Sequence, residues 1–260
     1  YPEYRPETIR ALITHSAQWT PAMLRMYPAR NKSGFAQLIR HCGWGSPDVE
    51  RALWSVKNSL TLVAEDSLYP YRKTRDGIKT RDLKLHALPW PLEQLQELQD
   101  TQVELRVTLS YFIEPNPSAR GSSSRYHYPS HRLRFAMKRQ TESLDEFKTR
   151  INAAAESEES EHGTTGNDDN WSLGATQRHK GSLHQDIWRG AAAELASCGY
   201  LAVYPAQGWW RTRGALQRFD SEAKYSLVVS IHAPEADVDL YAAVETLVEN
   251  MVENPVEIMG

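Results

Sequence analysis

The sequence lacks long apolar runs, has few cysteines and carries little net charge. No segment approaches the roughly 18 consecutive apolar residues of a membrane span, so no membrane helix and no membrane partner are expected. The two cysteines, Cys42 and Cys198, lie far apart in apolar settings. That pattern suits buried, reduced thiols of a cytoplasmic protein better than a disulfide-stapled secreted one. The formal net charge is -3 and the 30 basic residues are scattered, which argues against a nucleic-acid surface. The start, Tyr1-Pro2-Glu3-Tyr4, has neither an initiator Met nor a basic-then-apolar leader and runs directly into a helical pattern, as expected of a chain cut from a longer one.

What is present is enough for folding. The chain has 260 residues, 40% of them apolar, with 8 Trp and 12 Tyr whose wide rings need packing. Two units are expected. Pro6 and Glu7 open a helix whose Ile9, Leu12, Ile13 and Ala17 form a face in need of a partner. A loop through Trp19, Pro21 and Pro28 leads to a second helix with Phe35, Leu38, Ile39 and Cys42 on one side, stopped at Gly43. Gly43-Trp44-Gly45 is read as a turn and Pro47 as the start of a third helix bearing Val49, Ala52 and Leu53.

After Asn58 the period changes to two. Leu60, Leu62 and Ala64 mark a strand buried on both sides. Val103, Leu105, Val107, Leu109, Tyr111 and Ile113 mark one with an apolar face and a face of Glu104, Arg106, Thr108 and Ser110 turned to water. Leu133, Phe135 and Met137 repeat the alternation, as do Tyr225, Leu227, Val229 and Ile231, with shorter patterns at Leu201, Val203 and at Val238, Leu240. Ser143 and Glu146 form a capping box for a helix bearing Leu144, Phe147 and Ile151. The polar stretch 153–170 is expected to be a mobile loop, and residues from Ala191 to Ser197 a further helix.

No segment offers a complete catalytic or metal-binding set, so no catalytic, cofactor or metal residue is assigned. Ser182, His184 and Asp186 are hydrolase residue types, but extended spacing keeps neighbours on one face about 6–7 Å apart, too far for nucleophile–base–acid contacts. His15 and Ser16 are adjacent on a helix and face apart. His127 and His131 have metal spacing only on a helix, which Pro129 disfavours. His86, His162, His179 and His184 are isolated in sequence, and Glu156, Glu158, Glu159 and Glu161 lack an organised oxygen cage for calcium. Gly43 and Gly45 do not make a phosphate loop. Trp209 and Trp210, if extended, point to opposite faces, one into the core and one near the surface, where a peptide or partner surface competes with a covered plug.

The order of features resembles the end of a subtilisin-like serine peptidase. The stretch from Arg5 to Ala17, RPETIRALITHSA, is similar to the helix that follows the catalytic-serine helix, and Gly43 to Leu53, GWGSPDVERAL, to the closing turn and helix of the peptidase domain. Val103–Pro115, Gly181–Gly190 and Ala202–Trp210 resemble the C-terminal extension of a bacterial subgroup. The resemblance implies a mixed fold: a helical remnant of an α/β subtilisin-like domain in residues 1–57, then a mostly β, antiparallel sandwich-like domain in residues 58–260 with one or two helical insertions. It places the Asp, His, Ser and oxyanion Asn upstream, with no Gly-Thr-Ser nucleophile motif here. The implied role is a non-catalytic part of a serine endopeptidase that completes the peptidase fold and positions or gates protein substrate. Its partners are the upstream catalytic region, the protein or peptide substrate and, in an alternative reading, a protein recruited at Trp209–Trp210.

Overall fold

The computed structural model describes residues 2–57, 61–88, 92–117, 128–156 and 169–232. It is a mixed α/β structure. Four helices come first: α1 (Pro6–Ser16), α2 (Pro21–Met26), α3 (Lys32–Cys42) and α4 (Val49–Lys57). They are followed by β1 (Thr61–Leu68), β2 (Tyr71–Thr74), β3 (Gly77–Thr80), β4 (Lys84–Ala87), α5 (Leu92–Glu97), β5 (Gln102–Tyr111), β6 (Arg132–Met137) and α6 (Leu144–Glu156). The remainder is α7 (Ala175–Arg178), β7 (Leu183–Ala191), α8 (Ala192–Cys198), β8 (Tyr200–Ala206), α9 (Trp209–Thr212) and β9 (Ala223–His232). Among the described residues no helix is long and apolar enough to cross a membrane.

The strands form three antiparallel sheets, ordered β1-β9-β5-β7, β4-β8-β6 and β2-β3. The alternation read from β5 and β9 puts Leu105, Val107, Leu109, Tyr225, Leu227 and Val229 on one side, where they share a single cluster with Leu133 and Phe135 of β6 and with Leu201 and Val203 of β8. The far side of β6 and β8 is covered by α6, whose Phe147, Ile151 and Ala155 meet Ala136, Ala202 and Tyr204. This helix starts as its capping box requires: the Ser143 N–H donates to Glu146 Oε2 at 2.8 Å and the Glu146 N–H to Ser143 Oγ at 3.2 Å.

Several expectations need correction. The polar face of β5 meets water only in part, at Glu104 and Arg106: Thr108 and Ser110 are buried beneath α1, which packs on β5 and β9. A helix rather than solvent covers those two residues because α1 carries matching groups, described below. The face by which α1 docks is also not the expected one. Thr8, Ala11, Leu12 and His15 are buried, whereas Ile9 and Ile13 stay 40% and 48% exposed. Strand β1 is only half-buried along most of its length, because it pairs with β9 alone and forms the sheet edge. Helix α6 continues through residues 153–156, at the start of the expected loop, and α2, the β2–β3 hairpin, β4 and α5 arise where no regular element was expected. The rest of that polar stretch up to residue 168, with His162, and the patterns at Leu60, Val238 and Leu240 lie outside the described residues.

Leu109 is fully buried in the shared core, while Thr108 faces the polar side. Leu109→Asp should therefore lower stability by about 3 kcal/mol or more, because a carboxylate has no partner there. Thr108→Ser keeps the hydroxyl and should cost less than about 1 kcal/mol. Urea unfolding of the two variants checks the assignment, and equal losses would reverse it.

Candidate functional site

The inward face of β7 brings together the residue types that the sequence left scattered. His184 and Asp186 lie opposite Leu109 and Val107 in register, and so both point into the core. Asp186 accepts N–H groups from Leu173, Gly174 and Ile187, each at 2.9 Å, and its Oδ2 lies 3.3 Å from Arg178 Nη1. Burial raises its pKa, opposed by Arg178 and by those N–H groups. His184 instead donates through Nε2 to the Gly181 carbonyl at 3.1 Å. Ser182 precedes the strand, and its carbonyl accepts from Arg10 Nη2 at 2.8 Å. The His184 and Asp186 side chains are held by different partners, and among the described residues no hydrogen bond links them to each other or to Ser182.

His184 belongs to a cluster of rings. Its centroid is 5.4 Å from His179 and 5.5 Å from Tyr111, which lies 5.6 Å from His131, which in turn packs 4.7 Å from Trp210. Burial pushes His131 and His184 down to about 3, so both are neutral at physiological pH. His179 is also held well below its usual value, by burial and then by Arg178 and His184. Uncharged imidazoles enclosed in this way pack as flat aromatic plates. Among the described residues no group of three His, Cys, Asp or Glu is arranged to hold a metal ion. His127 lies outside the described residues, and both cysteines are free thiols.

The Trp209–Trp210 segment is a helical turn rather than extended, and both indoles are buried. That corrects the expectation of one surface ring. Trp209 Nε1 donates to the Glu114 carbonyl at 3.0 Å and Trp210 Nε1 to Glu114 Oε2 at 3.4 Å. Gly208 is required just before them, because a Cβ there would strike the Ser130 carbonyl. The segment is a core plug tied to the Glu114 loop.

A second polar constellation, missed by the sequence reading, joins α1 to the outer face of the four-stranded sheet. His15 Nδ1 lies 2.9 Å from Thr108 Oγ1 and its Nε2 2.8 Å from Ser230 Oγ, while the Thr108 hydroxyl donates to Gln185 Oε1 at 2.6 Å. Arg10 donates to Ser110 Oγ at 2.9 Å and to the Tyr111 carbonyl at 2.5 Å, and its guanidinium stacks 4.1 Å over Phe112. Arg106 donates to the carbonyls of His15 and Ala17, both at 2.8 Å. Burial holds His15 well below its usual pKa, helped by Arg106. Ser16 Oγ turns away and donates to the Ile13 carbonyl at 2.9 Å. The signal was available in the Thr108 and Ser110 side of β5, which the sequence reading assigned to water.

Three buried histidines, His15, His131 and His184, therefore have folded pKa values below the unfolded value of about 6.5. Their neutral form favours folding fully above that value, and stability is lost as pH falls from about 6.5 toward their folded values. Each adds about 1.4 kcal/mol per pH unit within that window. Thermal unfolding should show Tm dropping between pH 7 and pH 5, and His131→Gln should make the drop shallower. An unchanged pH dependence would mean that His131 is not buried in its neutral form.

Comparison with family models, with curated proteins and with solved structures gives no match to this chain.

Proposed function

We propose that this chain is the non-catalytic C-terminal part of a subtilisin-like serine endopeptidase, with the Asp, His and Ser of the triad in an upstream region of the same polypeptide. In this reading residues 1–57 complete the α/β peptidase domain and residues 58–260 form a sandwich-like domain beside it that positions or gates protein substrate. The observation that carries it is the apolar surface of the opening helices. Ile13 on α1, Leu24 and Met26 on α2, and Val49 and Leu53 on α4 are exposed, Met26 to 70% and Val49 to 71%. No residue of α2 is buried, and α3 buries only Leu38. Exposed apolar side chains recur along this segment and offer area for a contact surface, and this segment is the one whose sequence resembles the close of a peptidase domain.

The site geometry supports a supporting role rather than catalysis. Acyl transfer needs an activated hydroxyl beside a base and donors aimed at the developing oxyanion. Among the described residues no hydrogen bond joins Ser16 or Ser182 to an imidazole, the histidines that do meet a serine hydroxyl, His15 at Ser230 and His131 at Ser130, are themselves buried, and the His184 and Asp186 side chains are enclosed in the core. Recruitment of a partner through the face of Trp209 and Trp210 has no exposed ring to use.

The purified chain should neither cleave casein nor react with a serine-directed fluorophosphonate, and a polypeptide extended upstream to include a Gly-Thr-Ser turn should do both. Stoichiometric labelling of a serine in this chain, or an upstream reading frame without that turn, would overturn the proposal. Ile13→Glu should shift the stability of this chain by less than about 0.5 kcal/mol, as surface changes do. The same substitution should lower the Tm of the extended protein.

A further inference from the structure

A cleft of about 700 Å³ lies between α3 and the outer face of β7, closed at one end by α7 and the turn that follows it. Its size is that of small-molecule sites. Lys32 and Arg40 line it from α3, Arg178 and Lys180 from the opposite wall, and among the described residues no Asp or Glu lines it. Arg178 is paired with Asp186 on the core side. Among the described residues Lys180 donates only to a neutral group, Gln177 Oε1, at 2.6 Å, and Arg40 forms neither an ion pair nor a hydrogen bond. In a chain of formal net charge -3 this is a local concentration of positive charge inside a concave wall, where a low-dielectric surround strengthens its field.

One further group points to a ligand. Gln185 lines the same cleft and is 1% exposed. Its Oε1 is taken by the Thr108 hydroxyl, and among the described residues its amide nitrogen has no hydrogen-bond partner. That orientation of the amide corresponds to the His15 tautomer protonated at Nδ1, in which the Ser230 hydroxyl donates to His15 Nε2, Nδ1–H donates to Thr108, and Thr108 donates to Gln185 Oε1. Buried donors are rarely left unpaired, because each costs its full desolvation. This N–H donor thus belongs to a residue of the same cleft wall that carries the Lys and Arg charges, and Trp44 also lines the cleft.

We propose that this cleft binds a small organic oxyanion carrying phosphate or carboxylate groups, held by Arg40, Lys180 and Lys32 with Gln185 as a neutral donor. The proposal is independent of the peptidase reading, since it concerns this chain alone. Isothermal titration of the full chain with ATP, with citrate and with adenosine tests it. ATP or citrate should bind, with affinity that falls as salt is raised, and adenosine should not; which of the two anions binds identifies phosphate or carboxylate as the preferred group. Arg40 and Lys180 are exposed, so R40Q/K180Q should keep the wild-type Tm and lose about tenfold or more in affinity, as expected for two charge-assisted contacts. A control pair outside the cleft, K79Q/K84Q, should bind as the wild type does. The proposal is overturned if neither anion binds at millimolar concentration, if adenosine binds as well as ATP, or if R40Q/K180Q binds as tightly as the wild type.

Discussion

Strand β5 is buried on both faces around Thr108 and Ser110, and one of those faces is polar. Every donor and acceptor on that face needs a partner once α1 covers it. The chain supplies them in pairs that only one placement of the helix can satisfy. Arg10 reaches the end of β5 through Ser110 and Tyr111. One turn later His15 sits between Thr108 and Ser230, and Arg106 reaches up from β5 to the last carbonyls of α1. A cation at that end of a helix also meets its negative pole. Burial brings Arg106 down to about 10, so it still carries its charge at neutral pH. At the other end of the helix, the Arg5 N–H donates to Glu65 Oε1 at 2.7 Å and the Thr8 hydroxyl to the same oxygen, pinning α1 to β1. Shifting α1 by one residue would break all of these contacts together, which is what makes such a seam specify a register rather than merely a layer.

The apolar periodicity of β5, β6 and β9 was legible because alternation at period two leaves no other regular structure. The α6 cap was legible for the same local reason: Ser143 and Glu146 satisfy each other within four residues. The outer face of β5 was not. Thr108, Ser110 and Arg106 have the composition of a solvated face, and only the long-range positions of Arg10 and His15 show that a polar helix covers it. Helix α2 was hidden by Pro21, read as a loop residue, although proline suits the first turn of a helix and Thr20 Oγ1 accepts the Met23 N–H. The Trp209–Trp210 pair was misread because it was treated as extended, while the turn of α9 lets both indoles enter the core.

The same logic explains why so many titratable side chains yield no chemistry in the core. A nucleophile or base has to meet substrate, whereas His131 and His184 are enclosed by Tyr111 and Trp210 and have lost the ability to take a proton near neutrality. Desolvation has converted them from acid–base groups into packing units. What the exposed parts of the structure retain is charge and apolar surface, which are instruments of recognition.

Helix α3 carries two of those charges, Lys32 and Arg40. Its placement is fixed from both sides: the Phe35 ring lies 5.6 Å from the Arg189 guanidinium of β7, and Trp19 packs 6.0 Å from Phe35 and 5.4 Å from Trp44. The turn carrying Trp44 is held by paired backbone hydrogen bonds between Gln18 and Ser46, at 2.8 and 3.0 Å, across Gly45. Gly45 has φ +99° and its missing Cβ would collide with the Gln18 carbonyl, so no other residue fits there. Because α3 is clamped in this way, the basic wall of the cleft is set by the same contacts that join the opening helices to one another.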